Sequence, residues 1–233
     1  MEHKITIIIP CYNEKNTIVQ ILNKIENIND IKKQIIVVDD NSTDNSEKLI
    51  SEYKFKSENK IVYHKKNLGK GGCIISAKKF ITGDIVIIQD ADLEYDPTDY
   101  KKLIKPIINK TVNVVYGSRV LGKKRYISNK FTSLIRVFAN HVLTTFSNFI
   151  NNQNLTDAHT CYKVFNIEVF KKINFVEKGF SICPEITTKL ANLGEIIQEV
   201  EISYKGRSYK EGKKISLYDG FDAILTILKY RFK

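Results

Sequence analysis

The first half of the chain alternates short blocks of Ile and Val with stretches in which apolar residues return every three or four positions. Residues 5–9, 34–38, 61–64, 84–89 and 112–116 carry the Ile/Val blocks, and each is predicted as a strand. Between them, Ile18, Ile21, Leu22, Ile25 and Ile28 fall on one face of a helix over 17–28. Residues 44–53 open with Asp44 and, three residues later, Glu47, an arrangement that caps a helix N-terminus. Further helices are predicted over 71–80 and 99–108. Strands that are apolar throughout are buried on both faces, and strands that alternate with helices pair in parallel. The pattern therefore predicts an α/β fold: a doubly wound, mostly parallel sheet with helices on both faces.

From about residue 130 the periodicity changes. Phe131, Leu134, Ile135, Phe138, Val142, Phe146 and Phe149 recur at helical spacing, as one long amphipathic helix or two shorter ones. A short strand or turn is predicted over 162–165, a helix over 185–193 and a strand over 197–204. A closing helix over 217–232 places Leu217, Phe221, Ile224, Leu225 and Leu228 on one face, with Lys229, Arg231 and Lys233 at its end. No Pro/Gly/Ser-rich linker and no internal repeat interrupts the chain. Residues 1–233 are read as one domain whose character changes near residue 120.

Composition narrows the class. Of the 233 residues 42% are hydrophobic and 27% charged, which suits a folded globular chain and excludes a collagen-like or disordered one. No apolar run approaches the roughly 18–20 residues that cross a bilayer. The N-terminus shows no basic start, apolar block and cleavage site, so the expected compartment is the cytoplasm. Cys11, Cys73, Cys161 and Cys183 are too scattered for a zinc site or a CxxC pair and are read as reduced packing residues. Lys and Arg number 37 against 26 Asp and Glu, a net charge of +11. That excess suits nucleic acid, anionic lipid or a polyphosphate substrate, and it also follows from a Lys-, Ile- and Asn-rich composition alone. With no arginine-rich run, zinc finger or RNP-like aromatic motif, nucleic acid is not expected as a partner.

In open sheets of this kind ligands bind beyond the carboxyl ends of the strands. The first strand runs out into Pro10-Cys11-Tyr12-Asn13-Glu14, the second into Asp39-Asp40-Asn41-Ser42, the fourth into Asp90-Ala91-Asp92-Leu93-Glu94 and the fifth into Gly117-Ser118-Arg119. Carboxylates gathered at one edge repel unless a cation or a partner's donors neutralise them. Asp90 and Asp92, two residues apart, offer hard oxygen ligands of the kind that share a divalent cation, Mg2+ or Mn2+, with substrate phosphates. A lone Asp-x-Asp is more often a solvated turn, but here two other polar strand ends converge on it.

The ordered set PCYNE, VVDDNSTD, NLGKGG, QDADLEYDP, VYGSR, LTDAHTCYKVF and YKGRSYKEGKK spans nearly the whole chain. It resembles the family 2 glycosyltransferases, which have the A-type, Rossmann-like nucleotide-sugar fold. Within that family the chain is most similar to the polyprenyl-phosphate and dolichol-phosphate hexose synthases, mannose synthases among them. The resemblance implies inverting transfer of one hexose from a nucleotide-diphosphate sugar of the GDP-mannose or UDP-glucose type. Residues 1–120 would form the nucleotide-sugar half and 121–233 the acceptor-side half. Pro10, Tyr12 and Glu14 are implied to frame the base and ribose, with Val37 and Ala91 in the same site. Asp39 or Asp40 is implied to accept hydrogen bonds from the base; successive strand residues face opposite ways, so one of the two is expected to touch it, and Asp39 is favoured.

By the same resemblance Asp92 is the main metal ligand and Asp90 contacts ribose or metal. Glu94, where many mannose synthases carry glutamine, is a further metal contact. Lys70, in the glycine-flanked turn before a helix, either meets the nucleotide or lies on the surface. Arg119 resembles the arginine that binds donor or acceptor phosphate. Arg207 and Lys213 resemble a pair that closes over the diphosphate, where guanidinium geometry suits the leaving group, with a solvated basic loop as the alternative.

The acceptor decides whether a base is needed. Polyprenyl phosphate is already an anion, whereas a glycan hydroxyl must lose its proton, usually to a carboxylate. Asp157 and Glu185 are the candidates, and Asp157 is preferred as a site residue, although a helix-capping aspartate reads the same way. The chain has no tryptophan and so lacks the QxxRW motif of processive synthases, which implies a single addition. Three readings follow: transfer to polyprenyl phosphate at the cytoplasmic membrane face; transfer to a hydroxyl in capsule, lipopolysaccharide or glycoprotein assembly; and a catalytically silent nucleotide-sugar or nucleic-acid binder. Intact Asp90, Asp92, Arg119 and Arg207 argue against the last. The apolar helix faces over 131–149 and 217–232, with their basic neighbours, either make peripheral contact with an anionic membrane or pack on the domain.

Overall fold

The Ile/Val blocks become the strands of one seven-stranded sheet in a computed structural model that describes residues 3–121, 131–206 and 218–233. The strands are β1 (Lys4–Cys11), β2 (Lys32–Asp39), β3 (Glu58–Tyr63), β4 (Ile85–Ile88), β5 (Val114–Ser118), β6 (Lys163–Asn166) and β7 (Ile197–Glu201), in the order β3-β2-β1-β4-β6-β5-β7. β1 pairs in parallel with both β2 and β4, and β2 with β3. The winding direction reverses between β1 and β4, which opens a crevice at their carboxyl ends. Ile5, Ile7, Ile8 and Ile9 of β1 and all four residues of β4 are buried, as continuous apolar strands require. The edge strand β3 exposes Glu58, Asn59 and Lys60, charged and polar positions that discourage pairing with another chain.

Among the described residues eight α-helices accompany the sheet: α1 (Ile18–Glu26), α2 (Ser46–Glu52), α3 (Gly69–Ala77), α4 (Tyr100–Ile108), α5 (Phe131–Asn151), α6 (Ile167–Lys172), α7 (Ile182–Asn192) and α8 (Tyr218–Arg231). The apolar stripe of α1 buries Ile18, Ile21, Leu22 and Ile25. The periodicity after residue 130 resolves as one continuous helix rather than two. α6 has no counterpart in the predicted pattern; it is only six residues long and begins at Asn166, whose side chain accepts from the Glu168 N–H.

The stretch predicted as a short strand or turn is an interior strand. β6 lies between β4 and β5 and runs antiparallel to both, which makes an otherwise parallel sheet mixed. The four apolar or long residues Tyr162, Lys163, Val164 and Phe165 are all buried there. Strands β6 and β7, from the second half of the chain, are thus hydrogen-bonded to β4 and β5 of the first. All four cysteines are free thiols, and Cys11, Cys73 and Cys161 are buried.

One close approach fixes the neighbourhood of the crevice. The first turn of α3 lies directly on the backbone of residues 177–179, where Gly72 N–H donates to the Lys178 carbonyl at 3.0 Å. A Cβ on Gly71 would stand 2.0 Å from the Glu177 carbonyl oxygen, and that oxygen belongs to backbone that cannot rotate aside. Gly71→Ala is therefore expected to destabilise the fold by about 1–3 kcal/mol through overpacking. Denaturant melts of the two proteins check this; equal midpoints would contradict the contact.

Candidate active site

Three strand ends and one helix start converge on a cleft of about 360 Å³. β1 supplies Pro10, Cys11, Tyr12 and Glu14, and the segment after β4 supplies Asp90, Ala91, Asp92 and Glu94. The loop into α3 supplies Asn67, Gly69 and Lys70. A hollow of similar volume at the opposite end of the sheet is lined by Lys4, Lys33, Glu26 and Glu58, among others. Lys4 is paired there with Glu58 and Lys33 donates to the Ile28 carbonyl, and the strands reach the hollow with their amino ends only.

The polar loops of the cleft are laced to one another. Asn13, with φ of 52°, accepts from Thr43 N–H at 2.7 Å and receives the Ser42 hydroxyl as acceptor for its own N–H. Asparagine tolerates this left-handed backbone better than most residues, which explains its place at the turn. β4 is finished by Gln89, whose side-chain oxygen accepts from Tyr100 and Tyr162 hydroxyls at 2.8 and 2.6 Å and whose amide donates to the Asp90 carbonyl. The carboxylates that follow thus leave a fully braced strand end.

Asp39 and Asp40 divide their labour. Asp40 accepts from the Leu68 and Gly69 N–H groups and from His64, whose other ring nitrogen meets Ser76 at 2.8 Å. It is committed to holding the 64–69 loop. Asp39 accepts once, from Ser42 N–H, and its buried Oδ1 has no hydrogen-bond partner among the described residues. A buried, unsatisfied carboxylate oxygen is costly, and a donor from a bound molecule would remove the cost. Cys11 and Asp40 line the cleft, whereas Asp39, the register neighbour of Cys11, does not. Val37 is buried within β2 and does not line it.

Lys70 is not a surface lysine. Its ammonium lies 2.5 Å from Asp90 Oδ1 and 3.1 Å from Cys161 Sγ. Burial works against its charge, but Asp90 outweighs that and holds the ammonium well above the ordinary lysine range. Asp92 accepts from the Glu94 N–H, and Glu94 accepts from the Tyr204 hydroxyl at 2.8 Å. Asp92 and Glu94 are both less than a tenth exposed and border the same cleft. Three carboxylates fall within five residues, one of them already paired with Lys70, and they offer hard oxygen donors of the type a divalent cation takes; the ligand atoms gathered within reach of one ion among the described residues are instead those of Asp40, His64 and Cys73.

Arg119, just past β5, is held by Asp157 through a two-pronged contact: Nε to Oδ2 at 2.7 Å and Nη2 to Oδ1 at 2.8 Å. Arg119 N–H and the Asn140 amide donate to the same carboxylate. Burial alone would raise the Asp157 pKa, but the guanidinium outweighs it and brings the carboxyl down to about 2. Burial also pushes His159 down to about 4, so it adds no charge beside the pair near neutral pH. A fully buried carboxylate whose oxygens are engaged by Arg119 and Asn140 is poorly placed to act as the base or the helix cap expected of Asp157. Glu185 is equally committed, accepting from Val176 and Glu177 N–H groups and from Lys189. Arg207 and Lys213 lie outside the described residues.

Gly179 and Phe180, which carry no local pattern that marks them, complete the cleft wall, brought there by the close approach to α3. Tyr204 opens the YKGRSYKEGKK stretch, but its part was not foreseen: it joins Glu94 to Arg119, its ring centroid 5.2 Å from the guanidinium carbon.

Comparison with known proteins agrees with this architecture. The profile of Glycosyl transferase family 2 matches residues 6–174. A UDP-N-acetylglucosamine–dolichyl-phosphate N-acetylglucosaminyltransferase from Methanococcus voltae is 29% identical, with 96% of this chain and 94% of that protein covered. A dolichol-phosphate mannosyltransferase from Pyrococcus furiosus is 28% identical over 92% of this chain and 61% of its own length. Among solved structures, Mycobacterium tuberculosis glucosyl-3-phosphoglycerate synthase superposes with a TM-score of 0.71 at 18% identity, covering 99% of this chain and 81% of that one. Mannosyl-3-phosphoglycerate synthase from Rubrobacter xylanophilus gives 0.73 at 18%, with 98% and 72% covered. These likenesses show the A-type glycosyltransferase fold; the mycobacterial protein has been crystallised with UDP and Mg2+ and with UDP, Mn2+ and phosphoglyceric acid.

The Arg119–Asp157 pair generates a prediction with a definite sign. Because the folded pKa of Asp157 lies below its ordinary 3.8, its stabilisation is complete above 3.8 and is lost as the pH falls toward about 2. Asp157→Asn leaves the partly buried Arg119 guanidinium without its counter-charge and is expected to cost about 1–3 kcal/mol. Urea melts across the acid range should show the mutant less stable at pH 7 and its loss of stability between pH 4 and 2 shallower than that of the wild type.

Proposed function

The chain belongs to glycosyl transferase family 2, and from that premise we propose that it transfers one hexose, with inversion, from a nucleoside diphosphate sugar to polyprenyl phosphate at the cytoplasmic face of a membrane. The observation that carries the acceptor is the state of the carboxylates on the acceptor side. Asp157 and Glu185 are fully buried and engaged, Asp157 by Arg119 and Glu185 by two backbone N–H groups and Lys189. A hydroxyl acceptor would need a base that neither supplies, whereas a phosphate monoester attacks as the anion it already is. The names of the relatives from Methanococcus voltae and Pyrococcus furiosus, both of which act on dolichyl phosphate, support the same acceptor.

In this reading Pro10, Tyr12 and Glu14 shape the nucleoside end of the cleft and Asp39 Oδ1 accepts from the base. One spare oxygen matches the single N–H of a uracil edge better than the paired donors of guanine, so a UDP-hexose is the favoured donor. Asp92 and Glu94, with Asp90, would hold Mg2+ or Mn2+. When bound, the cation neutralises the diphosphate as it leaves. Lys70 stays beside Asp90 at the same end of the cleft. Arg119, pre-oriented by Asp157 and by the ring of Tyr204, retains N–H groups for an acceptor or donor phosphate. Arg207 and Lys213 would add positive charge against the departing diphosphate.

A donor screen with a short polyprenyl phosphate and with an oligosaccharide as acceptors tests the assignment through release of nucleoside diphosphate. Turnover is expected with the lipid phosphate and a UDP-sugar, and not with the oligosaccharide. Asp92→Ala should melt like the wild type yet lose at least about a hundredfold in kcat/KM, since several kcal/mol of charge stabilisation depend on it. Turnover of the oligosaccharide alone would overturn the acceptor.

A further inference from the structure

α5 is unusual for a helix with an exposed side. From Val137 to Asn151 it contains no Asp, Glu, Lys or Arg. Phe138, Val142, Thr145 and Phe149 nevertheless face outward, with Phe138 60% and Phe149 84% exposed. Steps of four, three and four residues place them in one stripe. α8 packs beside α5, the Gly220 position standing 3.9 Å from Leu143 Cδ1, and repeats the pattern. Its Phe221 and Leu225 are 69% and 65% exposed and Phe232, just past its end, 76%, while Ala223, Thr226 and Ile227 face inward. The expectation that these helices either meet a membrane or pack on the domain is thus too narrow: each buries one face and leaves a second apolar stripe open.

The opposite face of α5 reaches the candidate site. Asn140 donates to Asp157, the counter-ion of Arg119, at 3.1 Å. The apolar stripe and the arginine's support are therefore about one helix diameter apart, on the order of 10–12 Å. A polyprenyl phosphate has the same layout, an anionic head next to a hydrocarbon chain. Charge points the same way. Residues 122–130, which lead into α5, include Lys123, Lys124, Arg125 and Lys130, and residues 205–214, before α8, include five cations and one acid. A second copy of this chain would bring +11 against +11, whereas an anionic bilayer attracts both segments.

We propose that the paired stripes of α5 and α8 lie in the interface of an anionic bilayer and present Arg119 to phosphate head groups at that surface. The proposal rests on the lipid-phosphate reading above and supplies the surface that reading requires. No helix among the described residues is long and apolar enough to cross a membrane. The attachment is interfacial, through apolar side chains and basic flanks together.

Flotation with phosphatidylcholine vesicles, with and without phosphatidylglycerol, tests it on the wild type and on the double variant Phe149→Ser/Phe221→Ser. The wild type should float with the anionic vesicles and less so as salt is raised. The variant should bind on the order of tenfold more weakly or worse, since two large apolar side chains are lost from the interface. Turnover of a short, water-soluble polyprenyl phosphate should be unchanged, which also shows that the variant is folded. Equal binding by both proteins, or no binding by the wild type, overturns the proposal. So does a wild-type dimer, seen by sedimentation, that dissociates in the variant, because a second copy then covers the stripe. If the wild type floats as described but ignores the short acceptor, the lipid-phosphate reading fails while the interfacial face stands.

Discussion

A partly buried guanidinium and a fully buried carboxylate, Arg119 and Asp157, hold the second half of the chain to the end of β5. Neither is tolerable alone: a charge taken out of water without its partner costs several kcal/mol, and the backbone around the pair is built to avoid that. Asp157 is fixed from below by its own N–H and that of Thr156, both donated to Glu199 of β7. Asn140 ties α5 to it, and Tyr204 ties the 204–206 segment to Arg119 and to Glu94 at once. One ion pair thereby gathers β5, β7, α5 and the acidic turn after β4 about a single cationic group. The cost of burying it is repaid in position: the arginine enters any encounter with a phosphate already oriented, with little side-chain freedom left to lose.

The acidic strand ends impose the complementary constraint. Glu14, Asp39, Asp40, Asp92 and Glu94 are all less than a tenth exposed and sit at the same edge of the sheet. The protein relieves part of the repulsion itself, through Lys70 on Asp90 and through backbone N–H groups on Asp40. Among the described residues a spare acceptor remains on Asp39, and Asp92 and Glu94 border the cleft; these are the groups proposed to meet a nucleotide and a cation. In this respect the cleft follows the winding of the sheet, since the reversal between β1 and β4 brings Pro10–Glu14 and Asp90–Glu94 opposite each other.

The alternating Ile/Val and helical periods made the parallel core legible because each element there announces itself locally. Where the structure departs from that reading, the cause is non-local. Nothing within residues 162–165 reveals that β6 inserts between β4 and β5 against their direction, because strand orientation depends on how α5 returns the chain. Asp39 and Asp40 were separable in principle by alternation, yet the particular burden on Asp40 comes from N–H groups some thirty residues away. Asp157 stood out as an acidic residue in the right half of the chain, and a sequence cannot show that Arg119, across 38 positions, has already claimed it. Lys70 was ambiguous for the same reason: only the fold places Asp90 beside it.

The central claim is that the nucleophile brings its own charge and that neither Asp157 nor Glu185 acts as its base. The measurement that bears on it most directly is the pH dependence of kcat/KM with polyprenyl phosphate and with the corresponding phosphonate, whose second ionisation lies at higher pH. For the phosphate an acid limb is expected near pH 6, about where a phosphate monoester loses its second proton. With the phosphonate that limb should move upward by the difference between the two acceptors' ionisations. A limb that stays at one pH for both acceptors would belong to a group on the enzyme, and the account given for Asp157 and Glu185 would be contradicted.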